Sequence, residues 1–562
     1  MALKQFFAGL ALVLLASCGG GGGGGGGGGN PTPTQISEAT AARFLTQASF
    51  GVTDASIAAV RQAGIDGYIT QQIAVPRPTQ THQAWMERRL TELRAANPNA
   101  NLSGNQFYES WWNQAVTADD QLRQRVTFAL SQIFVISLLD GAVDPRGAAS
   151  YYDVLSANAF GDYRTLLEQV TRHPMMGAYL TYLANQKEDP NGTRTPDENY
   201  AREVMQLMSL GLWELNPDGT TRTDSSGARI PAYTQADISG LARVFTGLSW
   251  WHPTPTNSTF FGGSRQADAF VRPMIFYPQY HSTSAKSFLG VTIPASTTVD
   301  AEGDLARALD TLANHPNVGP FMSSRLIQML VTSNPTPAYV QRVTNVWNNN
   351  GTGRRGDLAA VVRAILTDAE ARTAGDATYG KLREPLIRAT NFMRSFGATS
   401  SSGNWLITST SNNQSLGQSP LASPSVFNFW RPGFVPPATT QLGTRSLVAP
   451  EFQIVSEVSA AGYVNTMQLI TSTGIGSSND VRSAYTTELT LADNASGLLD
   501  RMDLLLFYGT MPQQLRSRIL DAVNSITVPT TGTQAQIDAA RLNRVRTAVL
   551  LSMSAPEYLV QR

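Results

Sequence analysis

Residues 118–137 of the chain read ADDQLRQRVTFALSQIFVIS, and their pattern decides the class of fold. Apolar side chains recur at spacings of three and four residues, from Leu122 through Val126 and Leu130 to Phe134. This spacing places them on one face of an α-helix and not on a strand, whose apolar residues alternate. We interpret the stripe as the buried face of a core helix rather than as a cofactor site.

The same helical period recurs along most of the chain, while alternating patterns are scarce. Only residues 269–277 and 287–293 alternate well enough to predict a small β-hairpin. We therefore expect a mainly α fold, a large multi-helix globular body with that hairpin. The predicted helices cover residues 36–48, 54–63, 83–96, 118–137, 163–170, 174–185, 198–210, 235–245, 301–314, 316–331, 337–347, 357–368, 381–396, 498–507, 512–523 and 534–553.

Composition excludes several classes of protein. The chain has 562 residues, of which 42% are hydrophobic and 15% charged, and its formal net charge is zero. A neutral chain lacks the positive field that attracts a phosphate backbone, so nucleic acid is not an expected partner. The hydrophobic content suffices for a buried core, which excludes global disorder. After the first residues no stretch is apolar enough to predict a transmembrane helix in the mature chain.

The N-terminus has the features of an export signal. Lys4 supplies a positive charge, residues 6–15 form an apolar segment too short to span a bilayer, and LASC ends at Cys18. That ending resembles the bacterial lipobox, whose cysteine is lipidated. Cys18 is the only cysteine of the chain, and an odd thiol is disfavoured in an oxidising compartment. We predict a signal peptide over residues 1–17 and a lipid on Cys18.

A tether follows the lipidated cysteine. Residues 19–29 are all glycine and residues 30–34 read NPTPT, so residues 18–35 have the composition of a linker. The residue after Cys18 is Gly19 and not aspartate, which favours anchoring to the outer membrane of the cell envelope. We expect the folded body to lie close to the membrane without entering it.

The folded body is predicted to have two parts. The main helical domain covers residues 36–440, and a C-terminal helical region over residues 441–562 packs on it. Near the boundary, residues 424–437 are rich in proline and aromatic side chains, among them Phe427 and Trp430. We expect this segment to form a wedge between helical layers, with a platform for a ligand as the alternative.

A series of short motifs runs through the chain. It comprises 42–45 (ARFL), 49–51 (SFG), 197–203 (DENYARE) with Leu207, Leu210 and Gly211, 233–238 (YTQADI), 245–247 (FTG), His281 with Lys286 and Gly290, 314–316 (NHP), 324–326 (SRL), 383–385 (REP) and 424–428 (PSVFN). The series resembles the bacterial family called domain of unknown function eighteen-hundred, over residues 36–560. The resemblance implies an exported, mostly helical protein, often encoded beside a second exported protein of sulfatase-like type. It implies no established activity.

Residues 197–203 are the strongest candidate for a site. On a helix, Glu198 and Arg202 lie four residues apart on one face. Asn199 and Glu203 form a second pair with the same spacing on the adjacent face. We predict a charge network in which Arg202 pairs with Glu198 or Glu203 in the interior. The alternative is a carboxylate pair that acts in catalysis or ligates a metal.

His281 and Lys286 are the next candidates. His281 lies among polar residues where the chain should bend between two strands, and a loop histidine is free to act as a base or a ligand. Lysine is rare, since Lys187, Lys286 and Lys381 are the only ones besides Lys4. In a chain that otherwise uses arginine, each lysine is expected to meet a need for a compact ammonium group.

A divalent metal is a further alternative, and the cofactor is otherwise unknown. The sequence has no close metal-ligand spacing such as His-x-x-x-His. Ligands would have to come together from distant segments. The candidate ligands are Glu198, Glu203, Asp237 and His281, with Lys286 expected to approach the same region.

His173 and His315 belong to a weak internal echo. Each precedes a proline, in HPMMG and in HPNVG, and each is therefore expected at or near the N-terminus of a helix. A neutral imidazole can cap the helix at such a position. Both histidines are candidates for a structural network around the site.

Three classes of function compete. The chain has no Gly-x-Ser-x-Gly elbow, no Walker loop and no dinucleotide fingerprint. The tether, the low charge and these missing motifs favour an extracytoplasmic lipoprotein that binds or assembles envelope components. The alternative is a hydrolase of the periplasm or cell surface, and the third class is a structural envelope component. The hydrolase would use Glu198 or Glu203 with His281 and Lys286. Convergence of these four residues and Asp237, a residue of the surrounding network, on one cleft would favour this class.

Overall fold

Helix dominates the computed structural model, which describes residues 35–373, 375–376 and 378–562. The predicted signal peptide, Cys18 and the tether up to residue 34 lie outside the described residues. Residues 36–562 form one compact unit, and the division predicted at residue 440 stays a prediction. No helix in these described ranges is both long and apolar enough to cross a membrane.

Helices make up 52% of the structure, which confirms the mainly α prediction. Most begin at a serine, threonine, aspartate or asparagine whose side chain accepts a hydrogen bond from the first turn, as helix capping requires. The helices are α1 (Glu38–Ala48), α2 (Asp54–Ala74), α3 (His82–Ala96), α4 (Gly104–Thr117), α5 (Gln121–Ser131), α6 (Pro145–Asn158), α7 (Tyr163–Arg172), α8 (Pro174–Tyr179), α9 (Asn199–Gln206), α10 (Gln235–Val244), α11 (Asn257–Phe260), α12 (Ala301–Asn314), α13 (Val318–Leu330), α14 (Pro337–Asn348), α15 (Leu358–Thr367), α16 (Ala369–Arg372), α17 (Pro385–Ser395), α18 (Gln441–Thr444), α19 (Glu457–Ser472), α20 (Thr486–Thr490), α21 (Ala495–Phe507), α22 (Gln513–Asn524), α23 (Gln534–Ser554) and α24 (Pro556–Leu559).

The strands of the described residues are short and form four separate antiparallel pairs. Two of these pairs join distant parts of the chain, so that the last residues are tied to the centre of the body. The pairs are β1 (Leu248–Ser249) with β2 (Ile275–Phe276), β3 (Lys286–Phe288) with β4 (Val291–Ile293), β5 (Lys381–Leu382) with β8 (Val560–Gln561), and β6 (Ala398–Ser400) with β7 (Val481–Ser483).

A small hairpin is present, but it is not built from the two predicted segments. Strands β3 and β4 pair across Leu289 and Gly290, whose φ angles of 48° and 78° suit a two-residue hairpin turn. Strand β2, expected in the same hairpin, pairs instead with β1. The prediction was wrong because the alternation over residues 287–293 continues through the turn and hides it.

Two helices absent from the predicted set complete the core. Helix α4 begins with a capping box formed by Ser103 and Gln106, and α6 begins at Pro145 after the cap Asp144. Both pack against α3 and α5. As a result α5 is buried along its whole length, including Arg125, and not only along its apolar stripe.

The chain after α9 forms an arm, residues 207–231, held by isolated β-bridges. The buried side chain of Asn317 fixes the base of this arm. Its Nδ2 donates to the carbonyl oxygens of Leu210 at 3.1 Å and Trp213 at 2.8 Å, and its Oδ1 accepts from the backbone N–H of Leu215 at 3.0 Å. The arm is thereby held beside the first turn of α13.

Candidate functional site

A cavity of about 410 Å³ lies between the arm, helix α13 and the aromatic segment 424–437. Its lining is mostly apolar and aromatic, with a few polar groups, which is the usual character of a small-molecule site. We name it the Arg325 pocket. Its lining includes Gln132, Thr221, Phe321, Arg325, Phe427 and Arg431.

Arg325 lies on α13 with its side chain partly buried. Its Nη1 donates a 2.8 Å hydrogen bond to Oε1 of Gln328, and its guanidinium carbon lies 5.3 Å from the ring centre of Phe321. The buried Nε has no hydrogen-bond partner among the described residues. Burial lowers the pKa of Arg325 to about 10, and no neighbouring acidic group opposes this effect. The guanidinium is therefore positioned by a neutral amide and a ring.

Arg431 adds a second positive charge to the pocket. Its side chain is exposed, and its guanidinium carbon lies 5.1 Å from the ring centre of Phe427. Its backbone N–H donates to Oε1 of Gln453 at 2.8 Å. No aspartate or glutamate of the described ranges lines the pocket. The lining thus presents two cations, each stacked on a ring, without a negative charge.

Gln132 lines the pocket with a side chain whose amide is fixed on both sides. Its Nε2 donates to Oε2 of Glu384 at 2.9 Å, and its Oε1 accepts from Nδ2 of Asn428 at 3.1 Å. The buried Glu384 also accepts from Nε2 of Gln418 at 2.7 Å. These contacts set the orientation of the amide before any ligand is present.

A buried cluster of charges adjoins the pocket through Met329. The Nζ of Lys381 lies 3.0 Å from Oε1 of Glu451 and donates to the carbonyl oxygen of Met329 at 3.0 Å. Arg125 donates to the same carbonyl through Nη2 at 2.8 Å. Lys381 thus occupies a buried position where a compact ammonium group meets both a carboxylate and a carbonyl, as the scarcity of lysine predicted.

Lys286 and His281 meet on the carboxylate of Asp304. The Nζ of Lys286 lies 2.8 Å from Oδ2 of Asp304 and donates to the carbonyl of Ser282 at 2.6 Å. Nε2 of His281 lies 3.1 Å from the same Oδ2, and its Nδ1 lies 2.7 Å from the carbonyl oxygen of Thr246. His281 is fully buried. The expectation of a free loop histidine was wrong, because these distant partners enclose the ring.

Glu198 and Arg202 pair as predicted, but on the surface. Nη2 of Arg202 lies 3.5 Å from Oε2 of Glu198, and the two side chains are 41% and 33% exposed. The predicted interior position was wrong because this side of α9 meets only polar groups of α10. There Gln235 Nε2 and Ser239 Oγ both donate to Glu198.

Glu203 is the carboxylate of α9 that is buried. Its side chain lacks a partner at Oε2 among the described residues. Burial raises the pKa of Glu203, and the nearby charge of Arg202 only partly opposes this. Gln206, one turn further along α9, lines the Arg325 pocket. Asn199, placed beside Glu203 by its spacing, instead donates to Oγ1 of Thr181 at 3.3 Å.

Asp237 joins helix α10 to the hairpin. Its Oδ2 accepts from the backbone N–H of Thr234 at 2.7 Å, and its Oδ1 accepts from that of Leu289 at 2.7 Å. Neither Asp237 nor any of the four residues proposed for a hydrolase lines the Arg325 pocket. In the part of the chain that the structure describes, no group of three or more His, Cys, Asp or Glu side chains is placed to hold a metal ion.

His173 and His315 act as local acceptors at helix starts. Nδ1 of His173 accepts from the backbone N–H of Met175 at 3.2 Å, and Nδ1 of His315 accepts from that of Asn317 at 3.2 Å. Burial lowers the pKa of His173 to about 3, which keeps its imidazole neutral. The contact of His173 agrees with the predicted capping. His315 lies near the start of α13 but does not cap it, because its partner is the N–H of Asn317, which precedes the helix. Neither histidine approaches the other candidates through these bonds.

The Arg325 pocket was missed as a site at the sequence level. Arg325 and Phe427 lie in the motifs at 324–326 and 424–428, which are distant in sequence and carry no local sign that they face one cavity. The only signal was the alternative interpretation of the aromatic segment as a ligand platform. In the structure Trp430 of this segment is buried, while Phe427 lines the pocket.

Comparison with known proteins identifies the chain at the level of family. Residues 43–560 match the family described as "Protein of unknown function (DUF1800)". No curated protein and no solved structure is significantly similar to the chain. The matched range holds every structural segment that lines the pocket. The chain therefore belongs to the DUF1800 family.

Proposed function

We propose that the protein is an exported lipoprotein whose helical body binds a small ligand in the Arg325 pocket. The anchor would be Cys18, held at the outer membrane, with the glycine tether between membrane and body. The lone cysteine at the end of LASC and the linker composition after it support this anchor. Because acyl chains contribute about 0.8 kcal/mol per buried methylene, two or three chains would hold the body firmly.

The pocket itself is the observation that carries the binding function. Its volume of about 410 Å³ falls within the range of small-molecule sites. Arg325 contributes a positively charged guanidinium to the lining, and a polar group of this kind can fix the orientation of a ligand. Gln132 and Arg325 are already held by neighbouring side chains, so little order has to be created on binding.

The hydrolase alternative has less support. His281 and Lys286 are buried and already engaged by Asp304, so neither has an open face toward a substrate. Glu198 lies at the surface, where its carboxylate accepts hydrogen bonds from Gln235 and Ser239 of α10 and not from His281 or Lys286. Binding does not require these catalytic candidates to meet in one cleft, because the polar groups of a ligand site only have to fix the orientation of the ligand.

Recovery of a bound molecule from the natural source tests the proposal. The full chain is purified from its own membranes and denatured, and the small molecules released are identified by mass spectrometry. Thr221→Trp fills the pocket from the arm, and Thr223→Trp is the matched control, since Thr223 is exposed on the same arm and does not line the cavity. The same preparation shows whether an exported sulfatase-like partner, which the resemblance implies, is retained.

We expect a molecule that is released from the parent protein and from Thr223→Trp but is lost from Thr221→Trp. Melting temperatures of the two variants serve as the check on folding. If Thr221→Trp retains its fold and releases the same molecule in the same amount, the pocket is not the binding site and the proposal fails.

A further inference from the structure

We propose that the Arg325 pocket selects an anion, a molecule with a carboxylate or phosphate group on an apolar, ring-sized body. This inference rests on the proposed binding function and adds the chemical class of the ligand. Its basis is the juxtaposition of two arginines and several rings in one cavity without any acidic side chain in the described lining.

Arg325 is a prepared anion receptor. Of its nitrogen atoms, only Nη1 has a hydrogen-bond partner among the described residues. That partner is the neutral amide of Gln328. Gln328 is itself held, since its Nε2 donates to the carbonyl of Ser333 at 3.0 Å. The guanidinium therefore has a fixed position and keeps its full charge, and it retains donors for the planar oxygen pair of a carboxylate or phosphate.

Some buried arginines in this core have carboxylate partners. Arg89 lies 2.7 Å from Glu109, and both side chains are largely buried. Arg501 contacts the buried carboxylate of Glu488 and lies 3.0 Å from Asp54. Arg325 has no ion pair of this kind within the described ranges. Arg383 and Arg388 also lack an ion pair there, but their side chains donate to backbone carbonyl oxygens within the core. Arg325 lines a cavity whose described lining includes no carboxylate, so an external anion can meet its charge there.

The second cation strengthens the selection. Arg431 belongs to a different segment and stacks on Phe427 while Arg325 stacks on Phe321, so the positive charges flank an aromatic interior. Two positive groups in one partly enclosed cavity raise the local concentration of anions and repel cationic ligands. A stacked guanidinium keeps its N–H groups in the plane of its edge, where a ligand oxygen can accept from them.

The body of the ligand is set by the remaining walls. Leu207, Leu210, Trp213 and Met329 supply apolar surface between the two arginines' segments. A ring system buried against such walls gains about 25 cal/mol for each Å² removed from water. The cavity volume of about 410 Å³ leaves room for a bicyclic body together with its anionic group.

A matched series of naphthyl compounds tests whether the pocket selects a negatively charged ligand and distinguishes a carboxylate from a phosphate. Calorimetric titration of the full chain compares 1-naphthylacetate, its neutral isostere 1-naphthylacetamide, and 1-naphthyl phosphate. The proteins are the parent chain, Arg325→Met, Arg325→Lys, Thr221→Trp and the control Arg354→Met, whose arginine is 60% exposed and lies outside the pocket lining. Melting temperatures establish that each variant is folded.

We expect each anion to bind the parent chain at least about tenfold more tightly than the amide, which corresponds to about 1.4 kcal/mol. Arg325→Met should abolish that preference and Arg325→Lys should keep part of it, because lysine supplies charge without the planar fork. Arg354→Met should behave as the parent, and Thr221→Trp should bind none of the three. The acetate and phosphate arms show which anionic group fits better.

Three results would overturn the inference. If the amide binds as tightly as the acetate while Thr221→Trp still abolishes binding, the charge selection is wrong and the proposed binding function stands. An anion preference that survives Arg325→Met assigns the selection to another group. Absence of binding by all three compounds at about 1 mM rejects the ligand class, whereas the native purification still decides the proposed function independently.

Discussion

Arg125 and Arg325 differ in the charges that surround their guanidinium groups. Arg125 is 1% exposed, and the charges of Glu384 and Glu451 oppose the effect of burial, which lowers its pKa. Its Nη2 donates to the carbonyl oxygen of Met329, which follows Arg325 by about one turn on α13. Arg325 has no comparable carboxylate among the described residues, so an anion from outside the chain can balance its charge.

The pair of Lys381 and Glu451 supports a stability prediction. Both side chains are at most 3% exposed and their charged atoms are 3.0 Å apart. Lys381→Met should lower stability by about 3–5 kcal/mol, because it leaves a buried carboxylate unpaired. The double variant Lys381→Met with Glu451→Gln should recover part of this loss. Thermal melts of the singles and the double check this, and purely additive losses would contradict the pairing.

Glu203 supports a prediction of pH dependence. Burial raises the pKa of Glu203 above its ordinary value of 4.5. Below that ordinary value the carboxyl group is neutral in both folded and unfolded states, and as the pH rises through the raised pKa the buried charge lowers stability. Glu203→Gln should therefore melt at a higher temperature than the parent at pH 8 and at nearly the same temperature at pH 4.

Arg202→Gln is the matched control for this experiment, because Arg202 lies on the exposed side of the same helix. Its melting temperature at pH 8 should be at or slightly below that of the parent, because a surface ion pair contributes about 1 kcal/mol or less and the charge of Arg202 partly offsets the burial of Glu203. A lower melting temperature for Glu203→Gln at pH 8 would show that the carboxylate is stabilised by a partner and contradict its placement.

For single residues, the sequence predicted which positions have unusual environments better than it predicted the residues that they contact. The rarity of lysine indicated special environments for Lys187, Lys286 and Lys381. Lys286 and Lys381 are buried in ion pairs, whereas Lys187 is half-buried and has no ion pair among the described residues. The partners Asp304 and Glu451 were not predicted, because each lies in another element and no spacing links them to the lysines. Pairing of this kind is decided by tertiary packing, which a single sequence does not display.

Among the helices, local sequence signals set the bounds of α12, whereas tertiary contacts set the end of α5. Helix α12 has the bounds that the sequence predicted, since the cap Asp300 and the apolar period agree. Helix α5 ends at Ser131, earlier than predicted, although the apolar pattern continues. Gln132 and Ser137 instead bind Glu384 and the carbonyl of Ser423, so contacts across the fold end the helix.

The packing of α10 against β3 supports a prediction about Gly240. A Cβ atom at Gly240 would lie 1.8 Å from the carbonyl oxygen of Ser287, which is a backbone atom and cannot move aside alone. Gly240→Ala should destabilise the protein by about 1–3 kcal/mol or more, since the hairpin must shift. Hydrogen exchange at residues 286–293 should rise in the variant, and thermal melts give the loss of stability.

Gly67→Ala is the control for that substitution. Gly67 also lies within a helix, α2, and its added Cβ would meet only the side chain of Ala63 at 3.4 Å. This change should stabilise the protein by about 0.5–1 kcal/mol, because alanine has the higher helix propensity. Equal melting temperatures for the two variants would show that α10 and β3 are not in close contact.

For the whole molecule, the class of fold was predictable and the site was not. The helical period is repeated in most segments, so a mainly α body follows from many independent local patterns. The Arg325 pocket needs residues near 132, 207–221, 321–329 and 426–433 to meet. Each of these segments looks like ordinary core or loop by itself, and only the packed fold brings them together.

The proposed lipid anchor supports a prediction for the full chain. Cys18→Ala should move the protein from the membrane fraction to the soluble fraction, because it removes the residue that would carry the acyl chains. Ser17→Ala keeps the cysteine and should leave the protein with the membranes. Fractionation followed by immunoblotting checks both variants, and unchanged membrane retention of Cys18→Ala would contradict the lipoprotein assignment.

A crystal structure of the protein purified with its natural ligand would show whether the Arg325 pocket binds an anion. We expect density for a small molecule between α13 and the aromatic segment, with an oxygen of its anionic group within hydrogen-bond distance of Arg325. Density for the released molecule at any other position, with nothing but water beside Arg325, would contradict this expectation.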